Sequence, residues 1–377
     1  AAAARGRHAL PPRRALTSPI DAVAAPKALL HDHLDGGLRV ATIVELAEQI
    51  GWALPASDPA ELQAWFTRGA ATLDLLQYLA TFEHTLAVLQ TAEALERVAY
   101  EAAVDLAADG VVYAEVRFAP ELHVAGGLAM EAVVEAVTAG FRRGEAAAAA
   151  AGRPIAVFAI LCAMRTEQRS LEVAQLADRL RATDDKVVAF DLAGAETGFP
   201  PSLHAEALAW ARARHVNVTL HASEPPDLEL IDEALVFGAH RVGHGVRLQA
   251  DVGFTGVGTE RQVSELGPLA RYVLDRQVHL EMAPTCHVQV GAVPSFEEHP
   301  IAAFLRAGFN VGVNTDNRLM SNVMPSSELH RVVTTFGLTA DEARRLVVNA
   351  IEAGFAPYEV RRAIVDQLVD PWFAART

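Results

Sequence analysis

The chain has 377 residues, of which 51% are hydrophobic, and its formal net charge is −15. This length and apolar content predict a large buried core, whereas the acidic balance argues against binding to a phosphate backbone, so we expect no nucleic acid partner. The two cysteines, Cys162 and Cys286, form no CxxC pair, which argues against a disulfide framework or a thiolate zinc site and favours the cytoplasm. No apolar run approaches the roughly 20 residues that span a bilayer, so we expect no membrane association.

The first 25 residues are rich in Ala, Arg and Pro and contain no apolar core of a signal peptide. We interpret residues 1–25 as a loose N-terminal leader. Residues 26–377 contain no low-complexity linker, which predicts a single domain. The Gly-rich stretch 251–259 is interpreted as a surface loop.

Short β-branched runs alternate with helical patterns along this domain, as in a parallel sheet with crossover helices. The eight predicted strands are 28–33, 111–118, 155–161, 187–192, 216–221, 241–245, 278–282 and 310–315. Predicted helices are 92–108, 129–146, 170–181, 203–214 and 228–237, with a helical insertion over 61–91. Eight such units predict a (β/α)8 TIM barrel with a helical insertion after the first strand. In that fold the carboxyl ends of the strands carry the chemistry.

Ionisable residues recur at those predicted strand ends. His31 and His33 are spaced i, i+2, so both side chains lie on one side of the first strand. Such a pair alone is as often structural as functional. Here, however, His221, His244 and Asp316 also end strands, and a barrel directs all of these side chains to one point. Imidazoles with one carboxylate form a site that suits zinc and leaves room for a water molecule.

The number of metal ions follows from what the sequence lacks. A binuclear site needs a bridging ligand, commonly a carboxylated lysine on a middle strand. Lys186 precedes the fourth strand at the opposite end of the barrel, and Asp191 stands where that strand finishes. We therefore predict one metal ion per chain.

Five motifs in this order resemble those of the adenosine deaminase family of the amidohydrolase superfamily. They are His31-Asp32-His33-Leu34-Asp35-Gly36, Asp191-Leu192-Ala193-Gly194, His221-Ala222-Ser223-Glu224, Gly243-His244-Gly245 and Asn314-Thr315-Asp316. The resemblance implies four zinc ligands: His31, His33, His221 and Asp316. It also implies that Glu224 protonates the purine ring and that His244 orients or deprotonates the zinc water. Asp35 would contact the ribose 5′-hydroxyl, and the Gly194 backbone would contact the purine edge.

The chemistry of deamination is consistent with these roles. Attack of hydroxide on C6 of adenine leaves charge on N1, so an acid that protonates N1 stabilises the transition state, typically by about 10²- to 10⁴-fold. Glu224 follows His221 by three residues and is placed for this role, although a glutamate in a first helical turn is the structural alternative. The amide of Asn317 can donate to purine N7, which an ionised Asp, common here in the family, cannot. A loop asparagine that satisfies its own turn is the alternative.

Part of the helical insertion offers an apolar wall. Leu75, Leu76, Leu79 and Phe82 share one helical face. In the family this region covers the nucleoside, and Phe82 is the residue we assign to substrate contact. Ordinary core packing is the alternative interpretation.

Three positions depart from the family's usual residues. Ser223 replaces a glycine, and Cys286-His287 replaces Ser-Asn. His287 is interpreted either as a substrate contact or as a structural replacement.

These changes leave three functions open. We predict hydrolytic deamination of adenosine or 2′-deoxyadenosine. The alternatives are the same reaction on a modified adenine nucleoside, such as 6-amino-6-deoxyfutalosine, and a metal-containing binding protein that has lost catalysis. The oligomeric state stays open.

Overall fold

Strands of mostly buried residues form the centre of the protein. The computed structural model describes residues 20–72, 75–222 and 224–376. Within that part of the chain the strands are β1 (Lys27–His33), β2 (Val111–Phe118), β3 (Ala156–Met164), β4 (Val187–Ala193), β5 (Asn217–Ala222), β6 (Arg241–His244), β7 (Val252–Thr255), β8 (Gln262–Leu266), β9 (His279–Met282) and β10 (Val311–Val313). All but β7 and β8 form one parallel sheet in the order β1-β2-β3-β4-β5-β6-β9-β10. The predicted eight-stranded barrel is thereby confirmed.

Residues of the predicted motifs close the barrel between its first and last strands. The backbone N–H of His33 donates to the carbonyl of Asp316 over 2.8 Å, and the N–H of Asp316 donates to the carbonyl of His31 over 2.9 Å. The side-chain oxygen of Asn314 accepts from the N–H groups of Leu30 and His31. The same polar residues that flank the site therefore fix the register at the closure.

Helices surround the barrel. Those of the described residues are α1 (Val40–Ile50), α2 (Pro59–Ala70), α3 (Leu75–Ala80), α4 (Phe82–Val88), α5 (Ala92–Ala108), α6 (Met130–Ala150), α7 (Ser170–Leu180), α8 (Ala205–Ala213), α9 (Glu229–Val236), α10 (Pro268–Arg276), α11 (Pro284–Gln289), α12 (Ile301–Ala307), α13 (Arg318–Ser321), α14 (Pro325–Phe336), α15 (Ala340–Ala353), α16 (Tyr358–Ile364) and α17 (Asp370–Ala374). A π-helical turn, Val365–Val369, joins the last two. Among these residues no helix combines the length and apolarity needed to cross a membrane.

The helical insertion after β1 is present and begins earlier than predicted. It includes α1, which the sequence analysis did not identify, and then α2, α3 and α4. Asp58 caps α2 by accepting from the N–H groups of Ala60 and Glu61, so the chain enters this helix at a defined point. The side chains of Leu75 and Leu76 lie outside the described part of the structure.

The interpretation of residues 251–259 as a loop is wrong. Strand β7 begins at Val252 and pairs antiparallel with β8 to form a hairpin outside the barrel. The glycines that suggested a loop supply the turn, since Gly256 and Gly258 have positive φ values of 76° and 54°. The hairpin is short and largely half-exposed, so its strands lack the apolar alternation that would reveal them.

Part of the predicted leader is packed against the barrel. Ile20 and Ala25 are buried in the core, and the Lys27 ammonium donates to the carbonyls of Ala22 and Ala25. Residues 1–19 lie outside the described part of the chain. The domain boundary at residue 26 stays a prediction.

Candidate active site

An open cavity of about 830 Å³ lies at the carboxyl ends of the barrel strands. The predicted site residues that line it are His33, Asp35, Phe82, Gly194, His221, Glu224, His244, Asp316 and Asn317. The remaining one, His31, is fully buried beneath it. The structure therefore brings all ten predicted residues together around one cavity.

Imidazole and carboxylate atoms converge at the base of this cavity. His33 Nε2 lies 3.1 Å from His221 Nε2, and Asp316 Oδ1 lies 3.3 Å from His31 Nε2 and 3.5 Å from His33 Nε2. A second grouping contains His244: one ligand atom from each of His31, His221, His244 and Asp316 lies within 4.8 Å of the others. Five potential ligands therefore face the same small volume.

The spacing and protonation of these groups fit a zinc ion. Ligand atoms 2.0–2.2 Å from zinc in a tetrahedron are about 3.3 Å apart, close to the separations among His31, His33, His221 and Asp316. His31 Nε2 is buried and has no hydrogen-bond partner among the described residues. Burial lowers the pKa of His31 and of His33 well below the usual range, so both rings are neutral and can coordinate a metal.

A buried ionic network holds two of these imidazoles from behind. His31 Nδ1 lies 2.9 Å from Glu281 Oε2, and His221 Nδ1 lies 2.9 Å from Asp191 Oδ2. Arg117 joins the two carboxylates, because its guanidinium lies 2.6 Å from each. Carboxylates in this position fix the tautomer and orientation of metal-ligating histidines.

Glu224 occupies the cavity wall beside His244. Its Oε1 lies 3.4 Å from His244 Nε2, and its N–H donates to Glu196. Burial, with the negative charges of Asp316 and Glu196, raises the pKa of Glu224 well above its usual range. A carboxyl group of this kind stays protonated at neutral pH and can act as an acid. Residue 224 lies in a bend, and the next helix begins only at Glu229.

Two of the three departures from the family pattern contact catalytic candidates directly. Cys286 Sγ donates to Asp316 Oδ2 over 2.9 Å and lies 3.9 Å from Glu224 Oε1. His287 Nε2 lies 3.1 Å from His244 Nδ1. Neither is among the described residues that line the cavity, so the prediction that His287 contacts substrate is not supported by its position. Ser223 lies outside the described residues.

The predicted substrate contacts ring the cavity. Burial raises the pKa of Asp35 to about 7, and its Oδ1 has no hydrogen-bond partner among the described residues. Asn317 is also buried and packs closely against Gly36. A Cβ added to Gly36 would lie only 1.9 Å from Asn317 Oδ1. Gly194 has a positive φ of 92°. Phe82 and Leu79 contribute the apolar wall from the helical insertion.

The backbone is unusual at two of the converging side chains. His244 and Asp316 have φ values of 62° and 58°, in the left-handed region that non-glycine residues rarely adopt. His244 ends β6, Asp316 lies just beyond β10, and both side chains line the cavity.

Two residues that no sequence motif identified support the site from below. Arg117 and Glu281 are charged residues inside the apolar strands β2 and β9, and both side chains are fully buried. A charge within an otherwise apolar strand is a signal for a buried ion pair. Asp191 was recognised as part of a motif, but no role followed from its position.

Comparison with known proteins establishes the family. The sequence profile described as adenosine deaminase matches residues 26–371. The chain belongs to the adenosine deaminase family. It is 48% identical to the adenosine deaminase of Mycobacterium avium over 352 residues, which is 93% of this chain and 96% of that protein. It is 49% identical to the Mycobacterium tuberculosis enzyme over 353 residues, 93% and 95% of the two chains. This member of the family is a hydrolytic deaminase.

Solved structures share the same barrel. Adenine deaminase from Arthrobacter aurescens aligns with a TM-score of 0.78 at 26% identity, covering 93% of this chain and all 100% of that one. The Arabidopsis ADAL protein complexed with IMP aligns with a TM-score of 0.80 at 23% identity, over 94% and 99% of the two chains. An amidohydrolase from Burkholderia ambifaria with bound zinc aligns with a TM-score of 0.77 at 24% identity, over 96% of each.

Proposed function

We propose that this deaminase is a zinc enzyme that converts adenosine or 2′-deoxyadenosine, with water, to inosine or 2′-deoxyinosine and ammonia. The proposal rests on one observation: a set of possible metal ligands and a buried acid lie at the same cavity. The first is a set of neutral imidazoles with a carboxylate at zinc-ligand spacing, and the second is the buried acid Glu224. Deamination of a purine needs both a nucleophile at C6 and a proton at N1.

The metal site of the proposal consists of His31, His33, His221 and Asp316. Zinc bound there would lower the pKa of water and make hydroxide available near neutral pH. The zinc found in the Burkholderia ambifaria amidohydrolase supports this choice of metal. Glu281 and Asp191 would hold His31 and His221 in the orientation that presents Nε2 to the ion.

Glu224 supplies the proton in this mechanism. A neutral carboxyl at its position can hydrogen-bond to N1 and transfer its proton as C6 becomes tetrahedral. The hydroxyl proton of this tetrahedral intermediate passes to the amino group, and loss of ammonia forms the C6 carbonyl of the product. His244, whose Nε2 faces Glu224 Oε1, lies between the acid and the metal ligands and orients the attacking oxygen.

The remaining lining residues position the nucleoside. Asn317 can donate its amide to N7, the Gly194 backbone lies at the purine edge, and Phe82 packs on an apolar surface of the base. Asp35 accepts from or donates to a ribose hydroxyl, since a carboxyl with a pKa of about 7 is present in both forms at neutral pH.

The charges around the cavity favour a nucleoside over a nucleotide. Among the described residues that line it there is no Lys or Arg, whereas Asp35 and Glu224 are both present. A 5′-phosphate would therefore enter without a counter-cation and next to a carboxyl group. We therefore propose a nucleoside product for this enzyme, in contrast to the nucleotide IMP that is bound in the Arabidopsis ADAL structure.

Ammonia release by the zinc-loaded protein tests the proposal. The substrates are adenosine, 2′-deoxyadenosine, adenine, AMP and 6-amino-6-deoxyfutalosine, with Glu224→Gln as the control for contaminating activity. We expect release from the two plain nucleosides, abolished by the substitution and by removal of zinc with a chelator. Release confined to 6-amino-6-deoxyfutalosine would replace the proposed substrate. Equal release by Glu224→Gln would mean either that the ammonia comes from a contaminating enzyme or that Glu224 takes no part in the reaction, and either result would contradict the proposal.

A further inference from the structure

Three buried imidazoles form a hydrogen-bonded chain behind His244. His244 Nδ1 lies 3.1 Å from His287 Nε2, and His287 Nδ1 lies 2.9 Å from His299 Nε2. The chain ends where the backbone N–H of Ile301 donates to His299 Nδ1 over 3.2 Å. All three rings are at most 2% exposed.

The backbone N–H at the far end gives this chain a direction. An amide N–H can only donate, so His299 Nδ1 must be the unprotonated nitrogen. A neutral imidazole carries one N–H, which places the hydrogen of His299 on Nε2, from where it donates to His287 Nδ1. By the same argument His287 carries its hydrogen on Nε2 and donates to His244 Nδ1. The hydrogen of neutral His244 is then on Nε2, the nitrogen that faces Glu224.

The environment keeps the two supporting rings neutral. Burial lowers the pKa of His287 well below its usual range and that of His299 to about 3. The charged groups that act on them are the guanidiniums of Arg247 and Arg261, which disfavour a further positive charge. Neutral rings keep one donor and one acceptor each, as the chain requires.

The chain is closed at its outer end, so it does not conduct protons away from the site. Ile301 is fully buried and begins α12, where the first N–H groups of a helix have no partner within the helix. His299 satisfies this N–H, and a backbone amide cannot take up a proton in return. The arrangement therefore selects a tautomer.

We propose that His287 is a positioning residue that transmits the tautomer set by the Ile301 amide to His244, which then faces the reacting centre as an N–H donor. This inference rests on the proposed function for its catalytic consequence. Of the two roles implied for His244, it selects orientation of the attacking oxygen over removal of its proton, because the nitrogen that faces the site already carries a hydrogen.

Three variants distinguish this role from simple packing. In His287→Gln, the amide nitrogen can donate to His244 and the amide oxygen can accept from His299, so the direction of the chain is kept. In His287→Leu, the donor is lost while an apolar group still fills the space. His279→Leu is the matched control, since His279 is also buried and bonded to a side chain, Asn310, but lies at the amino end of β9.

Histidine 15N chemical shifts report the tautomer independently of activity. In the zinc-loaded wild-type protein, with the His244 signal assigned by its loss in His244→Asn, we expect the Nε2–H form. We expect the same form in His287→Gln and His279→Leu, and a shift towards the Nδ1–H form in His287→Leu. An Nδ1–H form in the wild type, or no change in His287→Leu, would overturn the proposal.

Kinetics with adenosine then test the consequence. We expect His287→Leu to lower kcat by about 10- to 100-fold with KM changed less than about threefold, as for other residues that orient a metal-site group. His287→Gln should recover most of kcat. Equal loss in both variants would mean that the imidazole is needed only for packing and would overturn the role. If the shifts are as expected but the wild type releases ammonia from no substrate, the proposed function fails while the tautomer assignment stands.

Discussion

The Cys286 thiol donates to Oδ2 of Asp316 over 2.9 Å, while Oδ1 of the same carboxylate faces His31 and His33. One oxygen of Asp316 is therefore bonded to helix α11, and the other faces the imidazoles that could share a metal with it. The departure from the family's serine therefore keeps a donor at this position, although a weaker one.

Substitutions at Cys286 should change metal affinity. Cys286→Ala leaves Asp316 Oδ2 without its donor, and we expect zinc to bind about 10- to 100-fold more weakly, as when other partners of metal ligands are removed. Cys286→Ser retains a hydroxyl donor and should bind zinc as tightly as the wild type. Competition with a chromogenic chelator measures both. Equal affinity in the alanine and serine variants would show that the thiol does not orient Asp316.

Glu281 should contribute to folding stability in a pH-dependent way. Its carboxylate lies 2.6 Å from Arg117 and 2.7 Å from Arg241, and Glu281→Gln leaves both guanidiniums with a poorer partner. We expect the free energy of unfolding to fall by about 3–5 kcal/mol. Urea denaturation of zinc-free protein measures it. The control is Glu172→Gln in the exposed surface pair with Arg169, for which we expect less than about 1 kcal/mol.

The sign of the pH effect follows from the pKa of Glu281. Burial alone would raise it, but Arg117 and Arg241 hold it at about 2, below the ordinary 4.5. In the unfolded chain the carboxylate takes up a proton first, so the stabilisation is complete above about pH 4.5 and decreases as the pH falls from there towards 2. A difference between wild type and Glu281→Gln that is independent of pH between 7 and 3 would contradict this.

Asp35 should discriminate in favour of a 5′-hydroxyl. For Asp35→Ala we expect kcat/KM on adenosine to fall about 10- to 100-fold, the size of a hydrogen bond to a charged group. The same variant should process 5′-deoxyadenosine about as well as the wild type does, because that substrate lacks the hydroxyl. Zinc content serves as the control for an intact site. Parallel losses on both substrates would assign Asp35 to the metal site instead.

The close approach of Gly36 and Asn317 can be tested by a double-mutant cycle. A methyl group at position 36 would lie 1.9 Å from Asn317 Oδ1, so Gly36→Ala should displace this side chain from the cavity and raise KM about 10-fold or more. Because Asn317→Gly removes all three side-chain atoms that a Cβ at position 36 would meet within 3.0 Å, adding Gly36→Ala in that background should have little further effect. Additive effects on KM would show that Asn317 is not the group through which Gly36 acts.

The sequence predicts the positions of those site residues that the barrel geometry alone determines. His31, His221 and Asp316 could be placed together because a parallel barrel gathers all strand ends at one opening. Cys286 and His287 could not be assigned, because their partners depend on how α11 packs over that opening, and no periodicity encodes this. The ion pairs of Arg117 depend on side chains from three strands that are distant in sequence. The hairpin was missed because it is short and lacks a buried face.

The left-handed backbone at His244 and Asp316 lowers folding stability at two positions to which we assign roles in the proposed reaction. A non-glycine residue in this conformation costs roughly 1–3 kcal/mol, and the penalty is absent for glycine. Replacing Asp316 by glycine should therefore abolish the reaction and yet raise the melting temperature of the zinc-free protein. Selection for thermal stability alone would therefore favour glycine at these two positions, and a screen that does not also require turnover should return stable variants without activity.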